Sequence, residues 1–203
     1  MRLALLGPAE GHTDALEEAA RFVLSTKAVD RAVYLGVDGA LDVIVRKWAA
    51  RLVGDNPSED AVWGRAVRAC GRSDAATIDR YLEAERKRRA LRVFEALPDS
   101  ETRAVEMLGG ALVVMIHDKG QLNEEDMLPA RLLLFGKSGP AVVKQVGQRW
   151  FVSPGTFEEA GVMTLDDEDD GILLTQFDGA CNQVRTEKLS TNRATKLKVS
   201  AGG

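Results

Sequence analysis

Short apolar runs alternate with amphipathic helical patterns through the first 55 residues, and that rhythm limits the fold more than any other feature. Arg2-Leu3-Ala4-Leu5-Leu6 is apolar and is closed at once by Gly7-Pro8, which suits a buried strand. Thr13 or Asp14 can cap a helix over Ala15 to Thr26, with Leu16, Ala19, Ala20 and Val23 on one face. Ala32-Val33-Tyr34-Leu35 then suits a second short strand stopped at Gly36. Asp42 to Val53 suits a second amphipathic helix, with Val43, Val45, Trp48, Ala49 and Leu52 as its apolar positions. Strand, helix, strand, helix in this order predicts a mainly parallel sheet with helices on its faces.

Beyond Gly54-Asp55-Asn56-Pro57-Ser58, which is turn chemistry, the character changes. Asp60 to Cys70 suits a short helix, and Asp74 to Ala96 a long one dense in Arg, Lys and Glu. Glu83 stands four before Lys87, a helix-supporting pair, and the run Arg86-Lys87-Arg88-Arg89 reads as a solvated face diluted by flanking glutamates. From residue 103 the pattern is strand-rich: Arg103 to Met107, Ala111 to Ile116, Ala130 to Phe135, Ala141 to Val146 and Gln148 to Val152. Val162 to Leu165 and Gly171 to Phe177 flank the acidic stretch Asp166-Asp167-Glu168-Asp169-Asp170. That stretch lacks the alternating acids and central glycine of a calcium loop and reads as a polar hairpin tip. Residues 186 to 203 lose their large apolar side chains and are expected to be a flexible basic tail.

With 45% apolar and 29% charged residues over 203 positions, the chain can bury one real core and is not a disordered or low-complexity sequence. A net charge of −4 gives no general attraction to nucleic acid or to an anionic membrane. No apolar run approaches the ~20 residues of a spanning helix. The opening residues have one basic residue and too short an apolar stretch for a signal peptide, so the cytoplasm is the expected location. Cys70 and Cys181 carry no metal-ligand spacing and read as reduced thiols.

Three segments could carry chemistry. Gly136-Lys137-Ser138 ends like a phosphate-binding loop, but Arg131 stands where that motif needs glycine, and Gly139-Pro140 stops any following helix. Gly7-Pro8-Ala9-Glu10-Gly11-His12 follows the first strand, where open α/β sheets place ligands. Glu10 and His12 could join Asp38, Asp55 or His117 around a metal, or could simply face water. Ile116-His117-Asp118 ends the strongest strand, a position for a ligand or an acid–base group, and equally an ordinary exit from a sheet. No serine or cysteine nucleophile signature accompanies it.

Taken in order, these pieces resemble the calcineurin-like metallophosphoesterases, in particular their small bacterial phosphodiesterase branch. Met1 to Leu6 followed by Gly11-His12-Thr13-Asp14-Ala15-Leu16-Glu17 resembles the family's first strand, its Asp-x-His-Gly-Asn loop and its first helix. Val29 to Gly36 resembles the second strand, which normally runs into Gly-Asp. Met107-Leu108-Gly109-Gly110-Ala111 through His117 resembles the hairpin and strand ending in His-Gly. Arg131 to Gly139 sits where the family has Gly-His-x-His, and Ser153-Pro154-Gly155-Thr156 resembles the Asn-Pro-Gly-Ser turn. The resemblance implies an α/β fold: a metallophosphoesterase-like two-sheet sandwich flanked by helices. It would span residues 1–185, with a helical charged segment at about 57–98 and the tail at 186–203.

The family's ligands are what this chain has replaced. Members hold two ions that polarise a phosphoryl group and activate water. Here Gly7-Pro8-Ala9 stands at the first Asp-x-His, and Val37 at the bridging aspartate with Asp38 one residue late. Gly136-Lys137-Ser138-Gly139 stands at Gly-His-x-His. His117 alone keeps a ligand position, and the chain has only two histidines. A relic pocket of Gly7, Ala9, Val37, Asp38, His117, Gly136, Lys137 and Gly139 is therefore expected, with no cofactor and no catalytic group. Lys137 would supply a cation where the metals are missing.

The resemblance then implies a non-enzymatic protein-binding or scaffolding module, as in the retromer subunit that uses this fold as a scaffold. Its partner would be a protein, with a homo-oligomer also compatible. The expected contact regions are the charged helix Asp74 to Ala96 and the pair Trp150 and Phe151. One alternative is a divergent phosphodiesterase holding Mn²⁺ or a similar divalent metal through Glu10, His12, Asp38 and His117, with His117 catalytic. A second is an anion or nucleotide sensor using the relic pocket.

Overall fold

The computed structural model describes residues 1–71, 74–158 and 160–191. Successive side chains of a strand point to opposite faces, and in β1 (Arg2–Leu6) both faces are covered: Leu3, Ala4, Leu5 and Leu6 are all fully buried. A run of this kind needs a layer on each side.

The outer layer is helical. Helix α1 (Thr13–Phe22) continues into a π-helical turn at Val23–Lys27, which ends with Ala28 in the left-handed region. Strand β2 (Arg31–Tyr34) returns parallel to β1, Leu5 opposite Val33. Three helices follow, α2 (Ala40–Val53), α3 (Val62–Cys70) and α4 (Ala75–Ala90), before β3 (Phe94–Ala96) joins β2 in parallel. The second half supplies β4 (Ala104–Leu108), β5 (Ala111–Ile116), the short α5 (Glu124–Met127), β6 (Leu132–Phe135), β7 (Val142–Val146) and β8 (Arg149–Ser153). It closes with β9 (Val162–Glu168), β10 (Gly171–Phe177) and β11 (Gln183–Leu189).

Two mixed sheets result, ordered β11-β10-β9-β1-β2-β3 and β4-β5-β6-β8-β7. Leu3, Leu5, Val33 and Leu35 meet Val113, Met115, Leu132, Leu134 and Val152 between them. On the other face of the first sheet, Ala4, Leu6, Ala32 and Tyr34 meet Leu16, Ala19, Ala20, Leu41, Ile44 and Trp48 of α1 and α2. A smaller cluster of Val114, Ala130 and Leu133, with Leu122, Met127 and Phe151 against it, covers the far face of the second sheet. The expected two-sheet α/β sandwich flanked by helices is the observed architecture.

Several local readings need correction. The long helix stops at Ala90: Leu91–Val93 forms a 3-10 turn, and Phe94 enters a strand and meets Trp48 edge-on with ring centroids 6.1 Å apart. Val43 is 65% exposed, and Leu41 and Ile44 take the inner face of α2. Trp150, expected at a contact surface, lies in the core between the sheets. The acidic stretch is mostly strand, with only Asp169 and Asp170 at the turn. Residues 186–189, expected in a flexible tail, lie in β11, which pairs antiparallel with β10 and buries Leu189. This edge strand has few apolar residues, and its ladder hydrogen bonds do what side-chain burial does elsewhere. The rest of that tail, from 192 on, lies outside the described residues.

The helical segment packs on the sandwich through α4 against α2, which itself contacts β3 and α1, while α3 packs on α4. Arg88 is not on a solvated face. Its Nε donates to Glu85 Oε2 at 2.7 Å and its Nη2 to Glu59 at 2.6 Å. Glu85 also accepts from Arg65 Nε at 2.5 Å, and Arg65 Nη1 reaches the carbonyls of Asn56 and Ser58 at 2.6 and 3.0 Å. Arg65, Glu85 and Arg88 are all buried. Burial opposes ionisation of Glu85, but the two arginines outweigh it, and its carboxyl sits below the ordinary range. At the other helix pair, Glu17 accepts from Trp48 Nε1 at 2.9 Å, from Arg21 and from Lys47, which together lower its pKa from 4.5 to about 2.

Two outcomes follow from these networks. Glu85→Ala strands two buried guanidinium groups and should cost roughly 3–5 kcal/mol of stability in urea denaturation. For Glu17, the unfolded chain binds its proton near pH 4.5 and the folded chain only near pH 2, so the stability it contributes is complete above 4.5 and is lost as pH falls toward 2. Denaturation midpoints of wild type and Glu17→Gln should therefore differ at neutral pH and converge by pH 2; a constant gap would assign the effect to packing instead.

Candidate functional site

The carboxyl ends of the parallel strands meet at one end of the sandwich, where open α/β folds place their sites. The chain leaves β1 through Gly7, and a Cβ there would lie 1.9 Å from the Gly155 carbonyl oxygen. The Gly7 N–H donates to Gly161 O at 2.8 Å. Beyond β6, Gly136 sits equally close, with a Cβ reaching 2.3 Å from Leu35 O. Its N–H and that of Lys137 donate to the His117 carbonyl at 3.0 and 2.7 Å. Gly139 O accepts from Thr156 N at 3.1 Å. Backbone thus packs on backbone across the ends of β1, β2, β5 and β6.

The side chains around this junction are already engaged. His117 Nδ1 donates to Leu35 O at 2.8 Å, since a carbonyl can only accept. Asp38 Oδ1 accepts from the Tyr34 hydroxyl at 2.8 Å and from Ala40 N at 3.0 Å. The same hydroxyl accepts from Ala9 N at 2.9 Å. Tyr34 is fully buried, and burial pushes its phenol well above the usual range, so it stays a donor to Asp38. Lys137 Nζ pairs with Asp118 Oδ2 at 2.6 Å, and that hydrogen bond, with one from Gly120 N–H, holds the Asp118 carboxyl below its ordinary range.

The structure brings Gly7, Ala9, Asp38, His117, Gly136, Lys137 and Gly139 to this end of the molecule, but in separate small networks. Val37 is 36% exposed and offers no donor atom. Glu10 and His12 lie on an exposed turn, Glu10 with φ of 47°. Among the described residues, no three His, Cys, Asp or Glu side chains cluster so as to hold a metal ion. Glu10, His12, Asp38 and His117 therefore do not form the ligand set considered for a divergent enzyme. The residues present do not fit a two-metal centre, whose ions need bridging oxygen ligands ~3.5–4 Å apart.

Two interactions of the junction escaped the sequence reading. Tyr34 reads as an ordinary apolar strand residue, yet a buried tyrosine needs a partner for its hydroxyl, and Asp38 stands four residues on across the Gly36 turn. Asp118 could be read from the sequence as an oxygen ligand beside Asp38, Asp55 and His117, but its pairing with Lys137 depends on two strands separated in sequence.

No family model matches the sequence, and no curated protein matches it. By structure, the chain is similar to a protein of Streptococcus pneumoniae described as a predicted phosphoesterase, with a TM-score of 0.51 and 10% identity over 94% of this chain and 98% of that one. It is also similar to vacuolar protein sorting 29 of Cryptosporidium parvum, with a TM-score of 0.51 and 13% identity over 93% of this chain and 97% of that one. The fold is that of the calcineurin-like metallophosphoesterases.

The junction can be probed by its hydrogen bonds and close contacts. Tyr34→Phe leaves the Ala9 N–H buried without its acceptor and should lower stability by roughly 1–3 kcal/mol. Gly136→Ala must move the Leu35 backbone and should lower the melting temperature further. Thermal and urea denaturation of the two variants check both, and an unchanged Gly136→Ala would mean that the strand ends are not tightly packed.

Proposed function

We propose that this chain is a phosphoesterase-fold protein without metal-dependent catalysis, which works by binding a protein partner. The observation that carries the reading is the engagement of Asp38 and His117, the one acid and one histidine nearest the ligand positions. Asp38 is held by Tyr34 and Ala40, and His117 by the Leu35 carbonyl. On the family resemblance, Gly7 and Ala9 would stand at an acid and a histidine of the metal-binding phosphoesterases, and Lys137 at another histidine. A lysine beside Asp118 satisfies that carboxylate without a divalent ion.

The binding half of the proposal rests on the same fold serving in vacuolar protein sorting 29, a protein named for sorting rather than for a reaction. Among the described residues no helix is long and apolar enough to cross a membrane. The contact surface is assigned to the helical layer, where Trp63 and Val67, four apart on α3, are 79% and 71% exposed. Exposed tryptophan is costly to leave in water and is the residue type most often found at the centre of protein interfaces.

The test is metal content. After incubation with Mn²⁺ and Zn²⁺ and desalting, elemental mass spectrometry should find far less than one equivalent per chain. Hydrolysis of bis(p-nitrophenyl) phosphate with added Mn²⁺ should stay at the uncatalysed rate and be unchanged in His117→Ala. Near two equivalents of metal, lost in His117→Ala together with hydrolysis, would overturn the proposal and restore a phosphodiesterase.

A further inference from the structure

A cleft with an apolar floor lies away from the strand ends, among the helices. It has a volume of about 810 Å³ and runs between the π-helical turn after α1, the second half of α2 and the end of α4. Its floor is Leu24, Trp48, Leu52 and Leu91, and its rim carries Arg21, Arg51 and Lys87. No carboxylate lines it. A chain with net charge −4 has therefore gathered three cations around one apolar depression.

The three cations differ in how far they are already satisfied. Arg21 pairs with Glu17, its guanidinium carbon lying 5.2 Å from the centroid of the Trp48 ring. That stacking holds it over the floor. Lys87 lies 3.3 Å from Glu83, but both side chains are more than half exposed, at 61% and 54%, so water screens the pair strongly. Arg51 makes no ion pair among the described residues. One wall is π-helical, a wider coil that recurs at functional sites. Its Ser25 hydroxyl, also in the lining, donates back to Arg21 O at 2.7 Å, leaving an acceptor oxygen at the edge.

We infer that this cleft binds a small amphipathic organic anion, a carboxylate with an aliphatic tail. The cleft's volume falls in the range of small-molecule sites, and its make-up is theirs: an apolar floor with a few convergent polar groups. The tail would lie over Leu24, Leu52 and Trp48, and the carboxylate between Arg51 and Lys87. An uncharged apolar ligand would leave the cations unanswered, and a bare oxyanion would leave the floor wet. Both features of the site call for one molecule that has both parts. This site is independent of the strand-end junction and does not depend on whether metal binds there.

The probe is dodecanoate below its critical micelle concentration, titrated into the full chain by calorimetry and followed by tryptophan fluorescence. One saturable site per chain is expected, with a fluorescence change because Trp48 forms the floor. Dodecanol, which has the tail without the charge, and inorganic phosphate, which has charge without the tail, should each bind at least about tenfold more weakly. Arg51→Glu and Lys87→Glu, both on exposed side chains, should keep the melting temperature and weaken dodecanoate by about tenfold or more. Leu52→Asp should abolish the fluorescence change. Absence of saturable binding, equal binding of dodecanol, or unaltered binding in both charge-reversed variants would overturn the inference. Co-sedimentation with anionic phosphatidylglycerol vesicles without binding of the monomeric anion would overturn it in favour of a membrane surface.

Discussion

A strand with no exposed side chain from Leu3 to Leu6 has to be covered twice, and the rest of the molecule is arranged around that need. Leu3 and Leu5 require a second sheet, and Ala4 and Leu6 require helices. The choice of small Ala4 beside large Leu6 lets α1 and α2 approach the sheet closely where their own alanines, Ala19, Ala20 and Ala49, face it. Once β1 is central, β2 must run parallel to it through a helical crossover and β9 can close the other side antiparallel. The parallel strands of both sheets then end together, and whatever the protein builds at that end is set by the residues that leave those strands.

Here the departing residues are small, and backbone occupies the space. Gly7, Gly136 and Gly155 each lie where a Cβ would come within 2.7 Å of a neighbouring backbone atom, so these loops are closer than any side chain permits. A metal centre at the same end would need oxygen and nitrogen ligands held around a gap. The gap is replaced by hydrogen bonds between loops: Gly7 to Gly161, Lys137 to His117, and Thr156 to Gly139. The polar side chains that remain are engaged locally, Asp38 by the Tyr34 hydroxyl and the Ala40 N–H and Asp118 by an ammonium. Two carboxylates facing each other without ions would repel and raise one another's pKa. Asp38 and Asp118 sit in separate hydrogen-bond networks, so the junction does not face that conflict.

How much of this could be read from the sequence depended on whether a feature is local. β1, β5 and β6 were legible because they are short, continuous apolar runs bounded by glycine or by polar residues. The order of the pieces pointed to the fold, since strand ends carrying Gly7, Gly36, His117 and Gly136 recur at the right intervals. β3 was hidden because three residues after a charged helix carry no period of their own, and only pairing with β2 makes them a strand. β11 was hidden for the opposite reason: its side chains are mostly exposed, and its place is set by backbone pairing to β10. At the junction, the scarcity of histidine was legible by counting, since the chain has only two, but the Tyr34 bridge was not. It needs Ala9 and Asp38 on either side of one hydroxyl, a relation that only the parallel pairing of β1 and β2 creates.

The buried arginine–glutamate network in the helical layer is a weak source of net stability, since desolvating three charges offsets much of what their pairing returns. Its stronger consequence is rotational. Glu85 and Arg88 are three apart and share one face of α4; Glu85 is held by Arg65, which also reaches the Asn56 carbonyl, and Arg88 by Glu59 of the same loop. With that face fixed, the residues on either side of Arg88 cannot choose their direction. Lys87 precedes it by about 100° around the helix, and Ala90 and Leu91 lie three and four residues beyond Lys87, on the same stripe as it. That stripe forms the α4 wall of the apolar cleft with the cationic rim. A hydrophobic replacement of the network could stabilise α4 equally well but would let it roll against α2. Three buried charges in the helical layer therefore do more to fix the direction of Lys87 and Leu91 than to add folding energy.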